Sequence, residues 1–88
     1  MIIRLSKHAK IRMKERGIDY KEVASIIENP VQLVYDSWKD VYIAVGGVGC
    51  AVVYSFHGEY VEVLTVLGRR EYKALASRYM MKRYKLIR

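Results

Sequence analysis

Apolar residues recur at helical spacing through the first thirty positions of the chain and then switch to alternation. Met1 to Arg4 reads as a short edge strand. Leu5, Ala9 and Met13 then fall on one side of a helix that Ser6 can cap and Gly17 can end, with Arg16 at the border of the apolar stripe. Asp19 with Glu22 three residues on has capping-box spacing, Val23, Ile26 and Ile27 supply a second apolar face, and Asn29-Pro30 stops that helix. From Val31 the residues turn β-branched and aromatic, which predicts strands at Val31–Ser37, Val41–Val45, Cys50–Phe56 and Tyr60–Leu67. Their links, Trp38-Lys39-Asp40, Gly46-Gly47-Val48-Gly49 and His57-Gly58, are short, so neighbouring strands should run antiparallel. The glycine-rich link lacks the lysine-serine and following helix of a phosphate loop and reads as a hairpin turn.

Cys50–Phe56 and Val61–Leu67 are apolar at nearly every position, so both should be central and covered on both faces. Two N-terminal helices cover one. For the other, Tyr72, Leu75, Ala76, Tyr79 and Met80 recur at helical spacing within residues 69–88, a basic amphipathic helix. It can cover its own sheet, cover a partner's sheet in a homodimer, lie along a nucleic acid or bind another protein. The expected fold class is α+β: a strand, two N-terminal helices, an antiparallel four-stranded meander and a C-terminal basic helix.

Eighty-eight residues, 52% of them hydrophobic and 28% charged, suit one globular domain spanning residues 1–88. No apolar run approaches the roughly 18 residues of a membrane helix, and no signal-peptide pattern opens the chain, so a cytoplasmic location without membrane contact is expected. Cys50, the one cysteine, reads as a small buried hydrophobe. Asn29 and Gln32 are the only side-chain amides, a scarcity seen in thermophile proteins.

The net charge of +7 is unevenly spread. Residues 1–16 carry six Lys/Arg against Glu15, residues 17–68 carry Lys21 and Lys39 against seven acids, and residues 69–88 carry eight Lys/Arg against Glu71. If the basic ends meet in the fold, they form one positive surface suited to a polyanion, RNA above all. Lys7, Lys10, Lys14, Lys73, Arg78, Lys82 and Arg83 are the candidate backbone-contacting residues. Tyr72, Tyr79 and Tyr84, interleaved with arginines, suit either base stacking or the core.

His8, Arg12 and Glu15 share one flank of the first helix, while Lys7, Lys10 and Lys14 share the solvated side. His8 reads either as a partly buried residue bonded to Glu15 or a carbonyl, or as a proton-transfer group beside a phosphate-binding guanidinium. Metal-free RNA cleavage needs a group to take the 2′-hydroxyl proton, one to protonate the leaving 5′-oxygen and a cation for the phosphorane charge. His8 is a candidate base or acid, imidazole being the side chain suited to proton transfer at physiological pH, and Arg12, Arg16, Arg69 and Arg70 can clamp phosphate. Tyr72 or His57 can complete the pair, although His57 reads first as a turn residue. Asp19, Asp36, Asp40, Glu59 and Glu62 form no metal-ligand pattern, and no cofactor motif is present.

The run HAKIRMKERGIDYKEVASIIENP, followed by four strands, resembles a family of small prokaryotic domains that open with a strand and a His-Ala-x-x-Arg-Met-x-x-Arg-Gly-Ile helix. That family is similar to the RelE/ParE and BrnT toxins, which share the barnase-EndoU-colicin-RelE fold. The resemblance covers about residues 3 to 67. Val66-Leu67-Gly68-Arg69-Arg70-Glu71-Tyr72 further resembles the Val-x-x-Gly-His-Arg-x-x-x-Tyr ending of archaeal RelE-type toxins, without its histidine and with the tyrosine closer. By that resemblance Arg69, Arg70 and Tyr72 would contact the scissile phosphate. It implies a RelE-like fold, a metal-independent endoribonuclease acting on RNA or ribosome-bound mRNA, and an antitoxin partner. The alternative is a non-catalytic nucleic-acid-binding or protein-interaction module on the same scaffold.

Overall fold

A computed structural model describes all residues, 1–88. In chain order it contains β1 (Ile2–Leu5), α1 (Lys7–Arg16), α2 (Tyr20–Glu28), β2 (Gln32–Asp36), β3 (Val41–Val45), β4 (Ala51–Phe56), β5 (Tyr60–Leu67), α3 (Arg69–Ala76) and β6 (Tyr84–Leu86). Ser6 starts α1 by two bonds: its Oγ accepts from the Ala9 N–H at 3.0 Å and donates to the Leu64 carbonyl at 3.0 Å. The helix start is thereby pinned to β5. Gly17 ends α1 in the left-handed region at φ 66°, a conformation that costs a side-chain-bearing residue energy but suits glycine. Asp19 caps α2 by accepting from the Glu22 N–H at 2.9 Å, and the buried Pro30 follows its end.

The four strands expected in the middle of the chain form three consecutive antiparallel hairpins, but they are the interior of a larger sheet. The sheet has six strands in the order β1-β5-β4-β3-β2-β6 and is mixed, correcting the four-stranded antiparallel meander. β1 adds in parallel to β5, with Ile3 beside Val61 and Leu5 beside Val63. At the opposite edge β6 adds antiparallel to β2, with Val34 beside Leu86 and Asp36 beside Tyr84.

That last pairing also corrects the helix expected over residues 69–88, because α3 ends at Ala76. The sequence after it holds no glycine or proline, so local preference alone would continue the helix. Pairing with β2, and an ion pair from Arg83 to the buried Asp36, instead hold the segment extended.

Helices α1 and α2 cover one face of the sheet, packing Ala9, Met13, Val23, Ile26 and Ile27 on Ala44, Val52, Val61, Val63 and Val66. Half-buried Cys50 packs against this layer. On the other face Tyr72, Leu75 and Tyr79 pack against Val34, Ile43, Val45 and Ala51, and Tyr84 joins them from β6 within the sheet. α3 and the residues after it therefore fold back onto their own sheet. This is why β4 is apolar on both sides, and each buried valine contributes about 1.5–3 kcal/mol of transfer energy. No helix is long and apolar enough to cross a membrane.

Candidate nucleic-acid interface

At the end of β5 the chain passes through Gly68 into α3, and there the two basic segments meet. Glu71, at the third position of α3, reaches back so that its Oε1 accepts the Gly68 N–H at 3.0 Å. The Arg12 Nη2 donates to Oε2 of the same carboxylate and the Arg16 Nη2 to Oε1. One carboxylate thus bridges two guanidinium groups set a helical turn apart on α1. Its acceptor bond from the Gly68 N–H, followed by those from Arg12 and Arg16, holds the Glu71 carboxyl down to about 2 from an ordinary 4.5. Glu71 is therefore ionised at every physiological pH.

Arg69 and Arg70, exposed in the first turn of α3, extend the cluster. With Arg16, Gly68 and Glu71 they line an open groove of about 330 Å³. Gly49 makes room for the Arg69 stem, while at Gly68 a side chain would only touch Arg16. A Cβ on Gly49, in the β3–β4 turn, would lie 3.0 Å from the Arg69 Cγ, and one on Gly68 would lie 3.4 Å from the Arg16 Nε. The side chains of Arg16 and Glu71 remain 39% and 35% exposed, so their pairing faces solvent, whereas Arg12 is 21% exposed. Three arginines against one carboxylate leave the groove positive, with Arg12 held on the same carboxylate beside it, and guanidinium forks match phosphate oxygens two at a time.

Of the remaining candidates, His8 is exposed on α1 one turn before Arg12, on the same flank. Glu15 pairs with Arg12 at 3.8 Å, so it is not the partner of His8 that a packed histidine would have. Tyr72 points elsewhere: its hydroxyl donates to the Gln32 Oε1 and its ring belongs to the second core layer, with Tyr79 6.0 Å away. Arg69 and Arg70 therefore share the groove and Tyr72 does not. Tyr79 and Tyr84 are likewise half-buried against the second core layer, which corrects the base-stacking reading of this tyrosine set to the core one. His57 bonds Ser55 Oγ at 2.8 Å and stacks on Tyr60 at 4.8 Å. It lies at the far end of β5, eight residues long, or about 26 Å at the usual strand rise, so it cannot join the groove.

Lys7, Lys10, Lys14, Lys73, Arg78 and Lys82 are exposed, but no single helix carries the C-terminal set, since Arg78 and Lys82 follow the end of α3. Arg83 is already engaged. Its Nε and Nη2 donate to the two carboxylate oxygens of Asp36 at 3.1 and 2.6 Å, and its guanidinium lies over the rings of Trp38 and Tyr84. Burial pushes the Asp36 carboxyl up, but Arg83 and the N–H groups of Lys39 and Trp38 outweigh it and hold it below its usual value.

Sequence reasoning singled out the arginines and overlooked Glu71. Its three-residue spacing from Gly68 was a readable capping signal, whereas its two arginine partners lie 55 and 59 residues away. A protein-family profile described as Domain of unknown function (DUF4258) matches residues 5–83. No curated protein and no solved structure matches the chain.

Proposed function

We propose that this chain, which belongs to the family described as Domain of unknown function (DUF4258), grips RNA by its phosphates along the arginine groove and cleaves it without a metal ion, as a RelE/BrnT-like endoribonuclease. The observation that carries the reading is the convergence of Arg12 and Arg16 from α1 with Arg69 and Arg70 from α3. Residues from the two basic ends of the chain form one site. In the reaction, the 2′-oxygen attacks phosphorus as its proton is removed, the bond to the 5′-oxygen breaks, and that oxygen takes up a proton. The guanidinium groups neutralise the charge gathering on the phosphorane oxygens. His8 serves as a proton-transfer group from one turn along the same flank as Arg12. The strand, helix pair and hairpin order of residues 2–67, with the His-Ala-x-x-Arg-Met motif on α1, support a RelE-like arrangement, and an antitoxin partner goes with that reading.

A second reading, a non-catalytic RNA-binding module, is favoured by one observation: Glu71 occupies Arg12 and Arg16 while Tyr72 faces the core. Incubating the protein with labelled RNA, with and without EDTA, and separately with translating ribosomes, tells the two apart. Cleavage leaving 2′,3′-cyclic phosphate ends is expected. Binding without cleavage supports the module, and absence of binding sinks both.

A further inference from the structure

The bridging carboxylate presents two oxygens on one central atom to two guanidinium groups, the arrangement that the non-bridging oxygens of a phosphate would adopt. We infer that Glu71 is a tethered stand-in for phosphate, so that the Arg12–Arg16 clamp opens to a polyanionic strand and stays closed to free phosphate and mononucleotides. This rests on the reading of the groove as an RNA site.

Competition at the clamp decides the ligand class. A carboxylate on a short tether holds an effective concentration in the millimolar range or above, which a lone phosphate has to exceed. A strand need not compete on those terms. It first engages Arg69 and Arg70, which are exposed and make no ion pair, and its next phosphate is then delivered to Arg12 and Arg16 as a second, linked contact. The Arg16 half of the bridge faces solvent and contributes little to stability, so the arriving phosphate has chiefly to replace what the carboxylate gives Arg12 and the Gly68 N–H. When the carboxylate swings out, the Gly68 N–H that it accepted becomes a further donor at the mouth of the groove. With a carboxyl held to about 2, pH does not open the clamp near neutrality; only a competing anion does.

The test is Glu71→Gln, which keeps an oxygen to accept the Gly68 N–H, as glutamine does in capping boxes, but removes the charge. Affinities of inorganic phosphate, uridine monophosphate and a short labelled oligouridylate would be compared in the two proteins, with melting temperatures as a check on folding. The native chain should bind only the oligouridylate. The variant should bind all three, the strand by roughly tenfold more tightly, a common size for coupling between a site and its competitor. Equal or weaker binding by the folded variant overturns the inference: Glu71 would then be positioning the arginines, while the RNA reading survives on the native chain's affinity. If neither protein binds the strand, the RNA reading fails and the inference with it. Should Glu71→Gln not fold, Glu71→Asp retains the charge but is one methylene too short to bridge both arginines. It should shift affinity in the same direction, and unchanged affinity there also overturns the inference.

Discussion

Asp36 and Arg83, 47 residues apart in sequence, meet through two hydrogen bonds that fasten β6 to the edge of β2. The carboxylate is 3% exposed, so losing its partner strands a buried charge. Arg83→Gln should lower the melting temperature by several degrees and speed amide exchange in β6. Adding Asp36→Asn should recover part of the loss, because the asparagine oxygen still accepts from Trp38 and Lys39 and the stranded charge is gone. A double variant less stable than Arg83→Gln would contradict this account.

Acid should weaken the fold in a defined window. Both Glu71 and Asp36 have depressed folded-state pKa values, so their stabilisation is complete above the unfolded values, 4.5 for Glu71 and 3.8 for Asp36, and is lost as pH falls through the folded ones. Urea midpoints should be flat above pH 4.5 and decline toward about 2. Glu71→Gln should make the decline shallower without abolishing it, because Asp36 still titrates.

Gly46 is spatially constrained. A Cβ there would lie 2.8 Å from the Ile26 Cγ1 and 3.1 Å from its Cδ1, so α2 would be forced off the β3–β4 turn. Gly46→Ala should cost about 1–3 kcal/mol by denaturant unfolding, the usual range for overpacking. Ile26→Ala, which removes both Cγ1 and Cδ1, should combine with it at less than the summed cost of the two single changes.

Tyr79 points in the other direction. Its hydroxyl is buried without a hydrogen-bond partner, and burial, with the Tyr72 hydroxyl nearby, pushes its pKa far up. Tyr79→Phe should therefore be neutral or stabilising, by up to about 1 kcal/mol, since it removes an unsatisfied polar atom and keeps the ring. A clear loss of stability would mean that the hydroxyl has a partner in solution.

His8 is exposed, so His8→Gln should leave the melting temperature unchanged. Under the endoribonuclease reading it should slow cleavage by roughly 10²–10⁴-fold with little change in RNA affinity, whereas Arg12→Gln should weaken both. Full-rate cleavage in the double variant would move the chemistry away from α1.

The local parts of this fold were legible in the chain. Ser6, Gly17, Asp19 and Pro30 mark the helix ends by their own chemistry, and the alternation after Val31 gave the four middle strands to within a residue or two at their ends. What was not legible depends on distant partners. Residues 84–86 become a strand because β2 has an open edge and Arg83 finds Asp36, neither of which the local pattern encodes. The site divides in the same way. Arginine type and charge distribution pointed to the groove, but which arginines are free, and which are held by Glu71 or Asp36, is decided by pairings across the fold. Tyr72 sat in the resembling motif, yet its place on α3 turns it toward Gln32.

The two outermost strands of the sheet are the first and the last in sequence, and this predicts an order of assembly. β2 to β5 can zip through short turns, whereas β1 with β5 and β6 with β2 join residues more than 45 positions apart, so those two pairings should close last. Until then β5 and β2 present bare backbone donors and acceptors, flanked by β-branched residues, to any neighbouring chain. Slow closure of the edges, rather than weakness of the finished core, is the point at which refolding at high concentration should lose material to aggregation.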